Sequence, residues 1–575
     1  MYLSLLLTLY LLHLSFVVRA LGHHDWSNQT LCSANSFQIA NNGTDSTIWP
    51  WQTYRSSNAT PPMLQINTTG KNLSPGLLFF TPFDGSSTPG AKEQVLIVMT
   101  DKGDLVWNGP EQHNADLRVQ TFNDEPVLVY WSGEGTAGTS LAVGHGYGEI
   151  VVLDKSYQVT HTVCPNLDIT LPPGATARCA VDVHEALITS RDTMLFTAYN
   201  TTPFDLSSIG GPRNGWALDS LVFEVNITTG EVLFEWSPLR HLPLNSTHYP
   251  LNGAGVNASV PFDAFHVNSI QLIDGGHYLI NSRHTWSTYL VDTDGKIIWE
   301  INGLDGGDFG KLPEGASFSW QHDARFSSIN QASAFLTWFG NNNDEFTSPN
   351  DLRPSTGLKL QVNLPPTRDS PPTLINNFTD PQDTIGSWSQ GSYQELPSGN
   401  GLLGYGATAR VAEYAPPSSA KTSQGEVVWS AAFGYGDLVS SYRVSKQEWH
   451  ATPAADDPSL VVLAAEANDT LTHCAGSSVW RGYVSWNGAT DVTSWEIYVV
   501  GTSNTSIMRS IGQVEKMGFE TEFVVPVGSA YVQVGAVESY GARVVRNSTA
   551  VKVGSWKMQH VTSLRLDRTQ FDRTN

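Results

Sequence analysis

Between Asp263 and Arg325 the chain reads DAFHVNSIQLIDGGHYLINSRHTWSTYLVDTDGKIIWEINGLDGGDFGKLPEGASFSWQHDAR. Three polar clusters, His266-Val-Asn268, Ser282-Arg283-His284 and Gln321-His322-Asp323, interrupt short strand-like runs. An unsatisfied polar group on a buried strand costs about 1–3 kcal/mol, so such groups need partners. Three histidine-bearing clusters at similar places in successive strand–turn modules therefore predict one shared polar site. Imidazole there can act as nucleophile or general base. The planar fork of Arg283 suits sulfate, phosphate or carboxylate.

Alternation along a strand puts His266 and Asn268 on one face and Val267 on the other. Asp263, three residues earlier, can orient the His266 imidazole through its second nitrogen. Arg283 on an inner strand needs a counter-charge, either an anionic ligand or an acid such as Asp292 or Asp323. Gln321 and His322 enter from the next module. His184-Glu185 in VDVHEALIT resembles the same arrangement one module earlier. His450 lacks such a frame, and Asn341 to Asp344 reads as a solvated turn rather than a calcium loop. There is no GxSxG, HExxH, P-loop or C-x-x-C spacing, and no metal or cofactor is expected.

The elements that would carry these clusters announce themselves as repeats. Lys102-Gly103 runs to Trp107, Thr229-Gly230 to Trp236, Asp294-Gly295 to Trp299, and Gln424-Gly425 to Trp429. Each is a tight glycine turn followed by an apolar strand ending in Trp, which would seal one sheet against the next. The 50 glycines, 31 prolines and 18 tryptophans suit an all-β chain with many turns rather than a helical bundle. Irregularly spaced four-stranded units with a shared outer hairpin predict a β-propeller over residues 78–453, with residues 21–77 packing on it. Residues 454–475 read as a linker. Residues 476–553 alternate over short strands in the manner of a fibronectin- or immunoglobulin-like β-sandwich, and 554–575 read as a flexible tail.

Residues 1–20 form an apolar run ending Val18-Arg19-Ala20, the pattern of a cleaved signal peptide. N-x-Ser/Thr sequons recur from Asn28 to Asn547, which fits a secreted glycoprotein carrying N-linked glycans. Four cysteines allow three pairings. Cys164 and Cys179 flank a Pro/Gly-rich loop and are paired on that ground, leaving Cys32 with Cys474. A net charge of −22 argues against nucleic acid and anionic membranes as partners, and no second apolar run is long enough to span a bilayer.

Taken together, DAFHVNSI, YLINSRHT, DGKIIWEINGL, SFSWQHDARF, GNGLLGYG with Val411-Ala-Glu-Tyr414, and Ser441-Tyr-Arg443 resemble the arylsulfotransferase-like family, in its fungal secreted branch. The resemblance implies a six-bladed propeller with a polar site at its central channel. It also implies transfer of sulfuryl groups from phenolic sulfate esters to phenols, without a nucleotide donor, through a sulfohistidine. His266 matches the family's HxN histidine and His322 its QH histidine. The family's nucleophilic histidine stands before a Tyr-Arg pair, and that position is Ser441 here. Its active-site arginine falls at Thr356, so Arg283 or Arg443 would supply the cation. The expected site is thus His266, His322 and Arg283, with Asn268, Gln321, Tyr442 and Arg443 in binding. The alternative is a non-catalytic propeller that binds a small anionic or aromatic ligand or a cell-wall glycan. A quinone-dependent dehydrogenase propeller fits less well, because the hairpins are few and irregular and no adjacent cysteine pair exists.

Overall fold

The computed structural model describes residues 31–41, 48–69, 72–83, 95–135, 144–175, 177–417, 424–436, 438–466, 471, 474, 478–500, 508–538 and 543–554. The expected signal segment and all but Gly554 of the expected tail lie outside these residues. Among the described residues nearly all regular structure is antiparallel β, with one short α-helix, Pro238–His241. No described helix is long and apolar enough to cross a membrane.

Consecutive antiparallel hairpins build the sheets. Leu77–Phe80, Val95–Met99 and Leu105–Glu111 form one, completed by Ser445–Gln447 from far along the chain. The next eight strands run as a continuous ladder. Its two halves begin at Asn114–Phe122 and Val181–Ile188 and join only where Gly148 faces Val181. Val267–Leu272, His322–Asn330 and Ser392–Glu395 each open a further sheet, and the last of these is finished by Gln65–Thr68. The opening strands lie side by side in turn, and Ser445–Gln447 returns beside Asn114–Phe122. Their first residues therefore gather at one end of a shared axis.

The repeated tryptophans act between sheets, as their spacing predicts. Trp236 donates its indole N–H to Gly295 O in the turn of the following sheet, and Trp429 donates to Asp101 O in the turn of the first. Gly295 holds that turn at φ 84, which glycine adopts without penalty. Trp107, Trp236, Trp299 and Trp429 are all buried.

Two further sheets face each other across a core that includes Val484, Trp495, Ile497, Phe523 and Val534. The structure corrects the linker boundary here. Ser459–Ala464, inside the expected linker 454–475, pairs residue by residue with Trp480–Ser485. It is a half-exposed edge strand, so its apolar alternation is weak. Ser33–Asn35 also joins this unit, pairing with Glu520–Val524. Both disulfides, Cys32–Cys474 and Cys164–Cys179, have the expected pairing.

Candidate functional site

The opening strands do not run straight into the axis. Register breaks fall between Ala115 and Arg118, Val181 and Ala186, Val267 and Ser269, and His322 and Arg325. Asp116, His266 and Asp323 have positive φ at these breaks. Such bulges re-aim side chains near sheet ends. Strict alternation therefore misdescribes the first cluster. Asn268 turns sideways, donating to Gln321 O at 2.8 Å and accepting from Asn281 Nδ2 at 2.7 Å, while His266 turns to Asp263.

Two layers result. The first is a cluster of buried imidazoles. His266 Nδ1 lies 2.6 Å from Asp263 Oδ2, as its spacing predicts, and its Nε2 is buried with no hydrogen-bond partner. Burial holds the His266 imidazole well below the usual histidine range despite the attraction of Asp263. His184 Nδ1 lies 2.5 Å from Asp182 Oδ2. His145 Nε2 lies 3.1 Å from Asp263 Oδ2 and its Nδ1 3.8 Å from Asp182 Oδ1. Burial opposes protonation of His145, but the two carboxylates outweigh it and push the imidazole up to about 9. The His145, His184 and His266 rings meet at centroid distances of 4.7–5.5 Å.

His284 completes this layer. Its Nδ1 bonds Asp263 O at 2.8 Å, its Nε2 accepts from Arg283 Nη1 at 2.9 Å, and its ring stacks on Tyr249 at 4.1 Å. Arg283 finds its counter-charge in Glu345, at 3.1 Å, rather than in Asp292 or Asp323. It also donates to Trp388 O at 3.0 Å and lies over the Trp320 ring, and its Nε has no partner. His322 enters from the next sheet. Its Nδ1 bonds Asn341 Oδ1 at 2.7 Å and its Nε2 accepts from Gln390 N–H at 3.2 Å. Burial, with Arg283 nearby, keeps it well below the usual histidine range. Asn341 is thus a buried positioning side chain rather than turn solvent.

The second layer is an ionic knot. Arg443 donates to Asp116 and Glu185, each at 2.9 Å, and to the carbonyls of His184 and Asn268. Arg118 and Arg325 also bind Glu185, and Arg325 binds Asp323 at 2.7 Å. Burial alone would raise the Glu185 carboxyl, but these three guanidiniums hold it well below the carboxylate range. Tyr442 lies between the layers, its hydroxyl donating to His184 O at 3.1 Å and its ring edge-on to His184. Gln321 donates to Asn281 Oδ1 and Ser282 O, and its Oε1 has no partner. A cavity of about 330 Å³ opens on the far side of the knot, against Gln120, Tyr393 and Gln447, and does not contain the imidazoles.

Ser441 is buried, its Oγ donating to Arg443 O and accepting from Thr81 N–H. Thr356 Oγ1 is buried without a partner. His450 pairs with Asp491 away from the site. His145, Asp182 and Glu345 escaped the sequence reading. Asp182-Val-His184 did carry a signal, an acid just before a histidine, as in Asp263 and His266. Two residue triplets could hold a metal in this layer, His145–His184–His266 and Asp263–His266–His284. A third, Glu149–Cys164–Cys179, has its sulfurs joined in a disulfide.

Comparison with known proteins adds a family but little from folds. No curated protein matches the chain. A protein of unknown function from Bacteroides caccae aligns at 12% identity and TM-score 0.34, over 64% of this chain and 98% of that one. A periplasmic gluconolactonase from Pseudomonas aeruginosa aligns at 10% and 0.33, over 64% and 98%. A catalytically inactive virginiamycin B lyase from Staphylococcus aureus aligns at 12% and 0.24, over 72% and 99%. These scores carry no argument about function. The profile of one family, described as arylsulfotransferase (ASST), matches residues 118–443. That span is more than half of the chain and runs from one arginine of the ionic knot to another, so the chain belongs to the arylsulfotransferase (ASST) family.

Proposed function

We propose that this is a secreted arylsulfotransferase of the fungal branch, moving a sulfuryl group from an aryl sulfate to a phenolic acceptor without a nucleotide donor. The observation that carries this reading is the buried, partnerless Nε2 of His266. With Nδ1–H donated to Asp263, Nε2 holds a lone pair and the neutral ring is a competent nucleophile. The lone pair attacks the sulfur of the aryl sulfate, an N–S bond forms, and the S–O bond to the aryl oxygen breaks. The departing phenolate takes a proton from solvent. The acceptor oxygen then attacks the same sulfur, the N–S bond breaks, and the acceptor's proton passes to solvent.

In this reading His322 assists as an acid–base group by relaying these protons between the reacting oxygens and solvent. Arg283, through its partnerless Nε–H, is the donor for a sulfuryl oxygen. Asn268, Gln321, Tyr442 and Arg443 serve binding by fixing the pocket wall. The hairpin sheets are six blades of one propeller over 78–453, and the two facing sheets are a C-terminal β-sandwich. The ring of neighbouring opening strands and the shared core support that architecture. The chain is exported with residues 1–20 removed and carries N-linked glycans; its two disulfides support that placement.

The test is incubation with 4-nitrophenyl sulfate, followed by digestion at neutral pH and mass spectrometry. Nitrophenol release and one sulfuryl adduct on the His266 peptide are expected, both absent in His266→Ala. Absence of release and of any histidine adduct in the wild type would sink the reading. The engaged hydroxyl of Ser441, at the family's nucleophile position, favours a second reading. There the pocket only binds a small anionic or aromatic ligand or a cell-wall glycan. A rise in melting temperature with aryl sulfate, without product, would mark that case.

A further inference from the structure

The imidazole layer gathers three buried histidines around two buried carboxylates. Asp182 and Asp263 are both buried. Each lies against two histidines, Asp182 against His145 and His184, and Asp263 against His145 and His266. The nearby guanidinium of Arg283 is engaged with Glu345. A dication among the rings would face the Asp182 and Asp263 carboxylates directly, in a setting where an isolated buried charge is costly.

We propose that His145, His184 and His266 form a binding site for a divalent transition-metal ion of the zinc class, with Asp182 and Asp263 as the outer carboxylates that orient the imidazoles. One ligating atom from each histidine lies within 4.8 Å of the other two. Zinc–nitrogen bonds of about 2.0–2.1 Å put tetrahedral ligands about 3.4 Å apart, so modest ring rotations close the set. Carboxylates already stand behind all three imidazoles. A carboxylate behind a metal-ligating imidazole fixes its tautomer and raises its basicity. His184 has Asp182 at 2.5 Å, His266 has Asp263 at 2.6 Å, and His145 has Asp263 at 3.1 Å.

A second, independent observation is the Nε2 of His266, a buried ligand atom without a partner on a side chain only 1% exposed. The competing triplet of Asp263, His266 and His284 is weaker, because the Arg283 guanidinium already donates to His284 Nε2 and would set its positive charge beside the ion. Three imidazoles select zinc, cobalt or nickel over calcium or magnesium, which prefer oxygen.

The inference goes beyond sulfuryl transfer and makes it regulable. A metal on His266 Nε2 occupies the lone pair that the transfer reading uses, so ion and sulfuryl group exclude each other. The experiment is titration of the EDTA-treated full chain with zinc chloride and, separately, cobalt chloride. One equivalent of zinc by elemental analysis and a visible cobalt absorption band are expected. Both are lost in His145→Ala and His184→Ala and kept in His322→Ala. Asp182→Asn keeps the packing and weakens affinity about 10–100-fold, which serves if the alanine variants do not fold. No bound equivalent, or binding that survives both His184→Ala and His266→Ala, overturns the site. A chain that binds the metal yet shows no sulfuryl transfer even when metal-free after EDTA treatment leaves this site standing and removes the transfer reading. Transfer by a chain that binds no zinc does the reverse.

Discussion

At the scale of residues, the knot and the imidazole layer make different demands. Glu185 accepts from Arg118, Arg325, Arg443 and the Ile270 N–H, with no solvent to replace any of them. Glu185→Gln keeps the shape and leaves three guanidiniums facing only Asp116 and Asp323. Breaking a buried charge set in this way costs about 3–5 kcal/mol. A lower urea midpoint at unchanged m is expected, and an unchanged midpoint would contradict the knot. Ser441→His puts the histidine that the resemblance implies into a tight position where the serine hydroxyl bridges Thr81 N–H and Arg443 O. Overpacking of this kind costs about 1–3 kcal/mol. If His266 is the carrier, the variant loses stability without gaining turnover; a gain would move the nucleophile to 441. The Asp263–His266 bond was legible because acid and base lie three residues apart in one turn. His145 was not, since it stands just before the strand Gly146–Leu153, far from Asp263 in sequence, and only the packing of neighbouring sheets brings the two together.

At the scale of elements, the sealing tryptophans were the most legible feature, because each closes a local repeat that periodicity exposes. What periodicity could not show was where a strand breaks register. The bulges at Asp182 to Glu185, Asn268 and Asp323 replace simple alternation with lateral contacts, and Asn268 was misplaced for that reason. Short edge strands were lost too, since Ser459–Ala464 and Ser33–Asn35 are half-exposed and lack a full apolar face. Trp429 tests how sheets are joined, because its indole spans from the last hairpin sheet to the turn at Asp101 in the first. Trp429→Phe keeps most of the apolar surface and deletes one donor, leaving Asp101 O without it. A loss of about 1–2 kcal/mol is expected, with faster amide exchange across the strands Val95–Met99 and Glu426–Ala432. Protection unchanged in both strands would mean that the bond does not hold the closure.

At the scale of the whole molecule, the first and last described strands, Ser33–Asn35 and Val551–Lys552, belong to the unit of two facing sheets, with the hairpin sheets between. Ser33–Asn35 pairs beside Glu520–Val524, and Cys32–Cys474 ties the same unit. Reciprocal bonds between Asn108 and Asn487, and Tyr157 donating to Gly488 O, fasten it to the sheets. Apart from the Cys32–Cys474 pairing, none of these contacts was readable beforehand, because they join residues hundreds of positions apart without a motif. Lys516 lies at this junction, beside a cavity of about 510 Å³ that also touches Trp449 and Trp486. Its ammonium donates to Ala489 O, and burial brings it down from 10.5 to about 8, with Asp491 opposing the shift in part. Below about 8 the lysine is charged in both folded and unfolded chains, so its burial penalty is complete and independent of pH. Between about 8 and 10.5 the folded lysine is neutral while the unfolded one still holds its proton. The unfolded chain then binds more protons, and stability rises with pH through that window. Lys516→Met removes the penalty and the rise together. Urea unfolding across the window should show the variant more stable near neutrality, by on the order of 1–3 kcal/mol, with the difference from wild type shrinking toward 10.5. A difference that stays constant with pH would mean that Lys516 titrates normally and that the junction is open to water.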